Sequence, residues 1–207
     1  MTKIRAIAAG AYHSLALKSD GTLYVVGYNF YGQLGLGHDK NQKSWKQTSL
    51  TAVTAMAGGS KHSLALKSDG TVWGTGWNLN GQLGSGDNNQ TYSWTVQGLT
   101  AASTPLTAIT AIAAGGERSL ALKSDGIVWV TGENGFGQLG LGDDTARYFW
   151  TKTSLTDVGA ISAGQYHSFA LKLDSTVWGT GNNTFSQLGL GSGSPSRIYS
   201  WTQSLLP

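Results

Sequence analysis

The chain has 207 residues, a formal net charge of +3, only 12% charged residues, 40% hydrophobic residues, eight Trp, eight Tyr and no Cys. This composition excludes disulfides and thiolate chemistry and argues against intrinsic disorder. A charge so near balance also disfavours a densely basic nucleic-acid surface.

The chain repeats one pattern four times. SLALKSDGTLYVVGYNFYGQLGLG begins at Ser14, SLALKSDGTVWGTGWNLNGQLGSG at Ser63, SLALKSDGIVWVTGENGFGQLGLG at Ser119 and SFALKLDSTVWGTGNNTFSQLGLG at Ser168. The steps Asp20 to Asp69, Asp69 to Asp125 and Asp125 to Asp174 are 49, 56 and 49 residues. Seven added residues around Ala101–Thr107 account for the longer step, and a two-residue insertion precedes Trp201. Periods of this size made of short strands and turns indicate propeller blades, and the long amphipathic stretches of helical solenoids are missing. The expected architecture is all-β: one domain over 1–207, with four blades of four antiparallel strands at about 4–52, 53–108, 109–157 and 158–207.

Each repeat opens with a strand of small residues, Ile4–Ala9 in the first, suited to the crowded axis of a propeller. The second strand places Leu15 and Leu17 on one face and Ser14 and Ala16 on the other. That alternation lets a large face of one blade meet a small face of the next. Lys-Ser-Asp-Gly then predicts a hairpin, because both Asp and Gly tolerate positive φ. Ser175 replaces the glycine in the fourth repeat, where another turn type is expected. The third strand carries Tyr24, Trp73, Trp129 and Trp178 in register, read as packing between blades. After it come a recurrent loop Asn (Asn29, Asn78, Asn134, Asn183) and a recurrent Gln (Gln33, Gln82, Gln138, Gln187), both expected to satisfy loop backbone. The fourth strand carries Trp45, Trp94, Trp150 and Trp201 and is expected to be the most exposed edge.

The string HSLALKSDG…VWGTG.N..GQLGLG resembles the repeat of the regulator of chromosome condensation family over essentially the whole chain. The resemblance implies a propeller, seven-bladed in the family, whose founding member is a guanine-nucleotide exchange factor for a small nuclear GTPase and binds chromatin. A secreted bacterial inhibitor of β-lactamases is similar. Two features depart from the pattern: there are four repeats, and the fourth strand has Trp where Pro-x-x-Val is common. Four blades either tighten into a closed ring or form an arc with two apolar faces that other copies, or another partner, complete.

No catalytic residue is expected, and no metal or other cofactor. His13, His62 and His167 share one repeat position, but Arg118 occupies it in the third copy, so these are read as structural groups between blades. Ser14 and its counterparts adjoin them in sequence but face the other way along a strand. Gly35-Leu-Gly37 and its copies precede no helix, which a phosphate cradle needs. Lys18, Lys67, Lys123 and Lys172 are read as solvated charge. Recognition is placed where the repeats differ, in the loops after the third strands. The candidates are Tyr28, Phe30, Tyr31, Trp77, Leu79, Glu133, Phe136 and Phe185, with aromatic tips as anchors.

The expected function is that of a non-enzymatic protein-interaction or structural module, a subunit of a larger assembly through a protein partner or self-association. The alternative is a lectin-like module binding a glycan, for host recognition or surface decoration, of bacterial or phage origin. An exchange factor is disfavoured by the four-repeat length, and a nucleic-acid partner by the sparse charge. No run of about 18 apolar residues predicts a membrane span. MTKIRAIAAGAYHS lacks the apolar core of a secretory leader, so a cytoplasmic or particle-borne location is expected.

Overall fold

The computed structural model describes residues 3–97 and 106–206, so most of the insertion placed at Ala101–Thr107 lies outside the described residues. The first blade comprises β1 (Ile4–Ala9), β2 (His13–Lys18), β3 (Leu23–Gly27) and β4 (Gln42–Gln47). The second comprises β5 (Val53–Gly58), β6 (His62–Lys67), β7 (Val72–Gly76) and β8 (Thr91–Gln97). The third has β9 (Ile109–Ala114), β10 (Arg118–Lys123), β11 (Val128–Gly132) and β12 (Arg147–Lys152). The fourth has β13 (Val158–Ala163), β14 (His167–Lys172), β15 (Val177–Asn182) and β16 (Arg197–Gln203). Each blade is a four-stranded antiparallel meander in chain order, as the repeats predict. Among the described residues no helix is long and apolar enough to cross a membrane.

The β2–β3 hairpin forms where Asp-Gly predicts it. Gly21 donates to the Lys18 carbonyl at 3.1 Å and Lys18 to the Thr22 carbonyl at 3.0 Å, and Gly21 alone within the turn has positive φ, at 82°. This is a type I turn closed by one left-handed residue. Asp20 contributes by accepting the Thr22 N–H on its carboxylate at 2.9 Å. Ser175 does not change the turn type. It adopts φ 69° and keeps both bonds, Ser175 to Lys172 at 3.0 Å and Lys172 to Thr176 at 2.9 Å.

The core lies between blades. Leu15, Leu17, Val25 and Leu34 of the first blade bury against Ala65, Met56, Trp73 and Trp94 of the second. Leu64, Leu66 and Leu83 meet Ala121, Ile112, Trp129 and Trp150 in the same way, and Leu120, Val130 and Leu139 meet Ala170, Trp178 and Trp201. Full burial of each such Leu contributes about 1.5–3 kcal/mol. Every blade thus has a large-residue face and a receiving face. The fourth strands are sheet edges as expected, largely exposed along their length, but Trp94, Trp150 and Trp201 on them are buried, at 6%, 1% and 8% exposed. Each ring sits on a glycine of the preceding blade, because a Cβ built on Gly35, Gly84 or Gly140 would collide with it.

Among the described residues no backbone hydrogen bond joins the fourth blade to the first. The four blades follow one another in an arc, and among the described residues Ile7 on the first blade and Leu171 on the fourth are 79% and 44% exposed.

Candidate functional site: the loop rim and the blade junctions

At each inner junction a side chain of one blade reaches a serine of the next. His13 Nε2 lies 2.7 Å from Ser63 Oγ, and Ser63 donates to the Gln33 carbonyl at 2.7 Å. His62 lies 3.0 Å from Ser119, which donates to the Gln82 carbonyl at 2.6 Å. With the hydroxyl proton committed to a carbonyl, the serine must accept from the imidazole, so Nε2 carries the ring proton. This arrangement is a latch between blades, with no free hydroxyl proton for a base to take. Arg118 replaces the imidazole at the third junction. It donates from Nε to Ser168 Oγ at 2.9 Å, from a terminal nitrogen to the Gln165 carbonyl at 3.0 Å, and to the His167 carbonyl.

Burial holds His13 down at about 4 and His62 at about 3, so both are neutral in the fold. Burial also lowers Arg118 to about 9. Glu133 moves the other way: burial and the nearby Glu117 charge raise it.

The loop residues serve the frame as expected. Asn29 Oδ1 accepts the Leu34 N–H at 2.8 Å, and Gln33 Oε1 accepts the Tyr31 N–H at 3.1 Å. The hairpin lysines depart from the solvated reading: Lys18 Nζ lies 4.4 Å from the Tyr24 ring centroid and Lys67 Nζ 5.0 Å from that of Trp73. They cover the receiving-face aromatics.

The candidate recognition residues divide into separate groups. Tyr28, Phe30, Tyr31 and Trp77 come together. Ring centroids are 6.1 Å apart for Tyr28–Tyr31, 5.2 Å for Phe30–Tyr31 and 4.8 Å for Tyr31–Trp77. Tyr12, which sequence reasoning missed, joins them 6.1 Å from Tyr28. Its position just before the strand histidine varies between copies (Tyr12, Lys61, Glu117, Tyr166) and could have flagged it. Lys61 stands 5.3 Å from the Tyr31 centroid and 5.5 Å from that of Trp77. Tyr12, Tyr28, Tyr31 and Lys61 line an open groove of about 500 Å³.

Leu79 is 51% exposed, outside the ring-to-ring contacts. Lys61 pairs with Glu117 at 3.3 Å, Asn80 also donates to Glu117, and Glu133 adjoins this cluster through its backbone N–H, which donates to the Glu117 carbonyl at 2.9 Å. Phe136 lies farther round the rim, 5.1 Å from Tyr166 and 5.0 Å from the Arg197 guanidinium. Phe185, on the last blade and 88% exposed, shares an open groove of about 390 Å³ with Phe136 and Tyr166.

Four-stranded blades, axial small-residue strands and side-chain latches between neighbours define a β-propeller of repeat type. The chain belongs to the regulator of chromosome condensation (RCC1) repeat family, whose repeat matches residues 4–33, 53–82, 109–138 and 160–187. It is 33% identical over 142 residues to the probable E3 ubiquitin-protein ligase HERC4 of Mus musculus, across 69% of this chain and 8% of that protein. The human HERC4 is 32% identical over the same length. Human WBSCR16 is similar in structure, with TM-score 0.86 and 24% identity over 100% of this chain and 54% of that one. So is Prp20p of Saccharomyces cerevisiae, solved in a study of its binding to Gsp1p and histones, with TM-score 0.84 and 24% identity over 99% and 51%. The chain therefore spans about half the length of these solved structures and a small fraction of the curated relatives. The structural likenesses show the fold.

Proposed function

We propose that this chain is a non-enzymatic protein-interaction module that works as a subunit of a larger assembly. The observation that carries the reading is the aromatic rim: Tyr12, Tyr28, Phe30, Tyr31 and Trp77 form one continuous surface beside Lys61. Phe30 is 58% exposed and Tyr12 68%. Large rings with few rotamers, already ordered by one another, bind with little entropic cost. The nearby Lys61–Glu117 pair adds a polar edge of both signs. The buried polar groups that would suggest chemistry are committed to the blade latches, which supports a binding role over a catalytic one.

The test is affinity capture followed by quantitative mass spectrometry, comparing the native chain with Phe30→Ala and Trp77→Ala. A protein retained by the native chain and lost at least about tenfold from both variants fits an aromatic anchor worth 1–2 kcal/mol. Equal retention by all three refutes the rim. A glycan array that lights up with the native chain and goes dark with both variants would replace the protein partner with a sugar.

A further inference from the structure

The groove beside the aromatic rim has a set of polar groups that selects its occupant. Its walls are Tyr12, Tyr28, Tyr31 and Lys61. Tyr28 stands edge-on to Tyr12 and to Tyr31, at interplanar angles of 70° and 72°, and Phe30 and Trp77 back the same tyrosines. Tyr28, Tyr31 and Trp77 are each half-buried. The rings hold one another in place before anything binds, so little side-chain freedom is left to lose. Tyr12 holds the repeat position that the preceding loop touches elsewhere, as Phe136 touches Tyr166. Tyr28, Tyr31, Trp77 and Lys61 make their ring contacts within the first two blades. Their placement is independent of anything beyond either end of the arc.

Among the described residues, the tyrosine hydroxyls that make hydrogen bonds are those of Tyr24 and Tyr92. Those of Tyr12, Tyr28 and Tyr31 make none. A phenolic hydroxyl can donate, and an ammonium donates and never accepts. The groove therefore offers ring surface and donors, with no carboxylate, side-chain amide or imidazole on its walls. A sugar fits poorly, because its own hydroxyl protons need acceptors of that kind. An anion would suit the donors, but Lys61 is already paired with Glu117 at 3.3 Å. Glu133 adds a second carboxyl close enough to Glu117 to feel its charge. Arg118 gives no relief at the surface, being buried and committed to Ser168 and the Gln165 carbonyl. At this end of the groove one accessible cation faces two carboxyl groups.

The complementary ligand is a chain segment rich in apolar rings and carbonyl acceptors and poor in N–H donors. Proline has no N–H, and a polyproline II helix makes no internal hydrogen bonds, so its carbonyls are free to accept. Such a segment is ordered before it binds, and aromatic-lined grooves are the surfaces that receive it. The surplus of carboxyl groups at Glu117 and Glu133 is complementary to a basic residue beside the prolines. We propose that the groove binds an extended, proline-rich segment of a partner protein. Its prolines lie against Tyr28 and Tyr31, its carbonyls accept from the tyrosine hydroxyls and Lys61, and a flanking basic side chain meets Glu117. The proposal rests on the protein-interaction reading above and names the kind of partner.

Isothermal titration of the full chain with short synthetic peptides tests it. One peptide is proline-rich with a terminal arginine. A second has glutamate in place of the arginine, and a third has alanine in place of every proline. The arginine peptide is expected to bind saturably, the glutamate peptide about tenfold more weakly, and the alanine peptide not measurably. Tyr28→Ala should weaken the arginine peptide at least about tenfold. Tyr31→Phe keeps the ring and removes the donor, so a loss of about three- to tenfold is expected with folding intact. Glu117→Gln should erase the preference for arginine over glutamate. Leu173→Ala, at a 74% exposed position on the β14–β15 hairpin, should change nothing. Thermal melts confirm that each variant is folded. Failure of the arginine peptide to bind saturably overturns the proposal. Tighter binding of the glutamate peptide overturns it too, since the donors would then serve an anion, and so does undiminished binding by both tyrosine variants. If no peptide binds while Phe30→Ala and Trp77→Ala still lose a captured protein, the proline-rich occupant falls and the rim stands. If captured protein is equally retained as well, both readings fall.

Discussion

Ser119 sits at the centre of the second junction, accepting from His62 and donating to the Gln82 carbonyl. Replacing it with Ala strands two buried polar groups, and each unmade bond of that kind costs about 1–3 kcal/mol. Ser119→Ala should lower unfolding free energy in urea by about 2–4 kcal/mol. Ser14→Ala, at the same repeat position on an open face, should change it by less than about 0.5 kcal/mol in dilute solution. The histidines add a pH dependence. His13 and His62 titrate near 4 and 3 in the fold and near 6.5 when unfolded. Between those values the unfolded chain binds more protons, so folding is favoured above about 6.5 and weakens as pH falls towards 4. Denaturation at stepped pH should show a slope of about 1.4 kcal/mol per pH unit for each buried imidazole, and His62→Gln should flatten it.

Within a blade, the turns and the tryptophan seats carry the local energetics. Ser175 holds the left-handed conformation that glycine holds in the other three hairpins. Ser175→Gly removes a strain of about 1–2 kcal/mol but frees the unfolded backbone at a cost of about 0.5–1 kcal/mol. A net gain of about 0.5 kcal/mol is expected in thermal or chemical denaturation. Gly84 and Gly189 separate backbone strain from collision. Their φ values are 67° and 62°, but only at Gly84 would a Cβ meet an indole, that of Trp150. Gly84→Ala should therefore destabilise the monomer by about 2–3 kcal/mol more than Gly189→Ala, as expected for overpacking a filled site. Equal losses would show that the glycine recurs for its φ alone.

Across the whole arc, each blade is stabilised by its neighbours, as in any array with nearest-neighbour packing. The second and third blades are covered on both sides and the first and fourth on one. Hydrogen exchange in dilute solution should find Leu64 and Leu120 in the slowest class, with amides of β2 and β14 opening sooner. Uniform protection across the four blades would contradict this expectation.

Much of the frame was legible from residue spacing. Strand positions, the meander within each repeat, the inter-blade role of Trp73 and Trp129, and the loop duties of Asn29 and Gln33 follow from recurrence, because a residue repeated at every junction must satisfy the same local demand. The hairpin at Asp20 was legible but its turn type was not, because Asp-Gly suits two hairpin types and only the hydrogen bonds distinguish them. The fourth strand was legible as a sheet edge, but the burial of its tryptophans was not, because the glycine that receives each one lies on the preceding blade, about 60 residues away in sequence. The aromatic rim was half visible: Tyr28, Phe30, Tyr31 and Trp77 were singled out, but Tyr12 joins them from another loop. The sequence by itself determined the blade, since short-range alternation and turn chemistry are local. The tertiary structure alone decided how blades address one another and which serine meets which histidine. Those contacts depend on curvature summed over the arc, a quantity that no single repeat encodes.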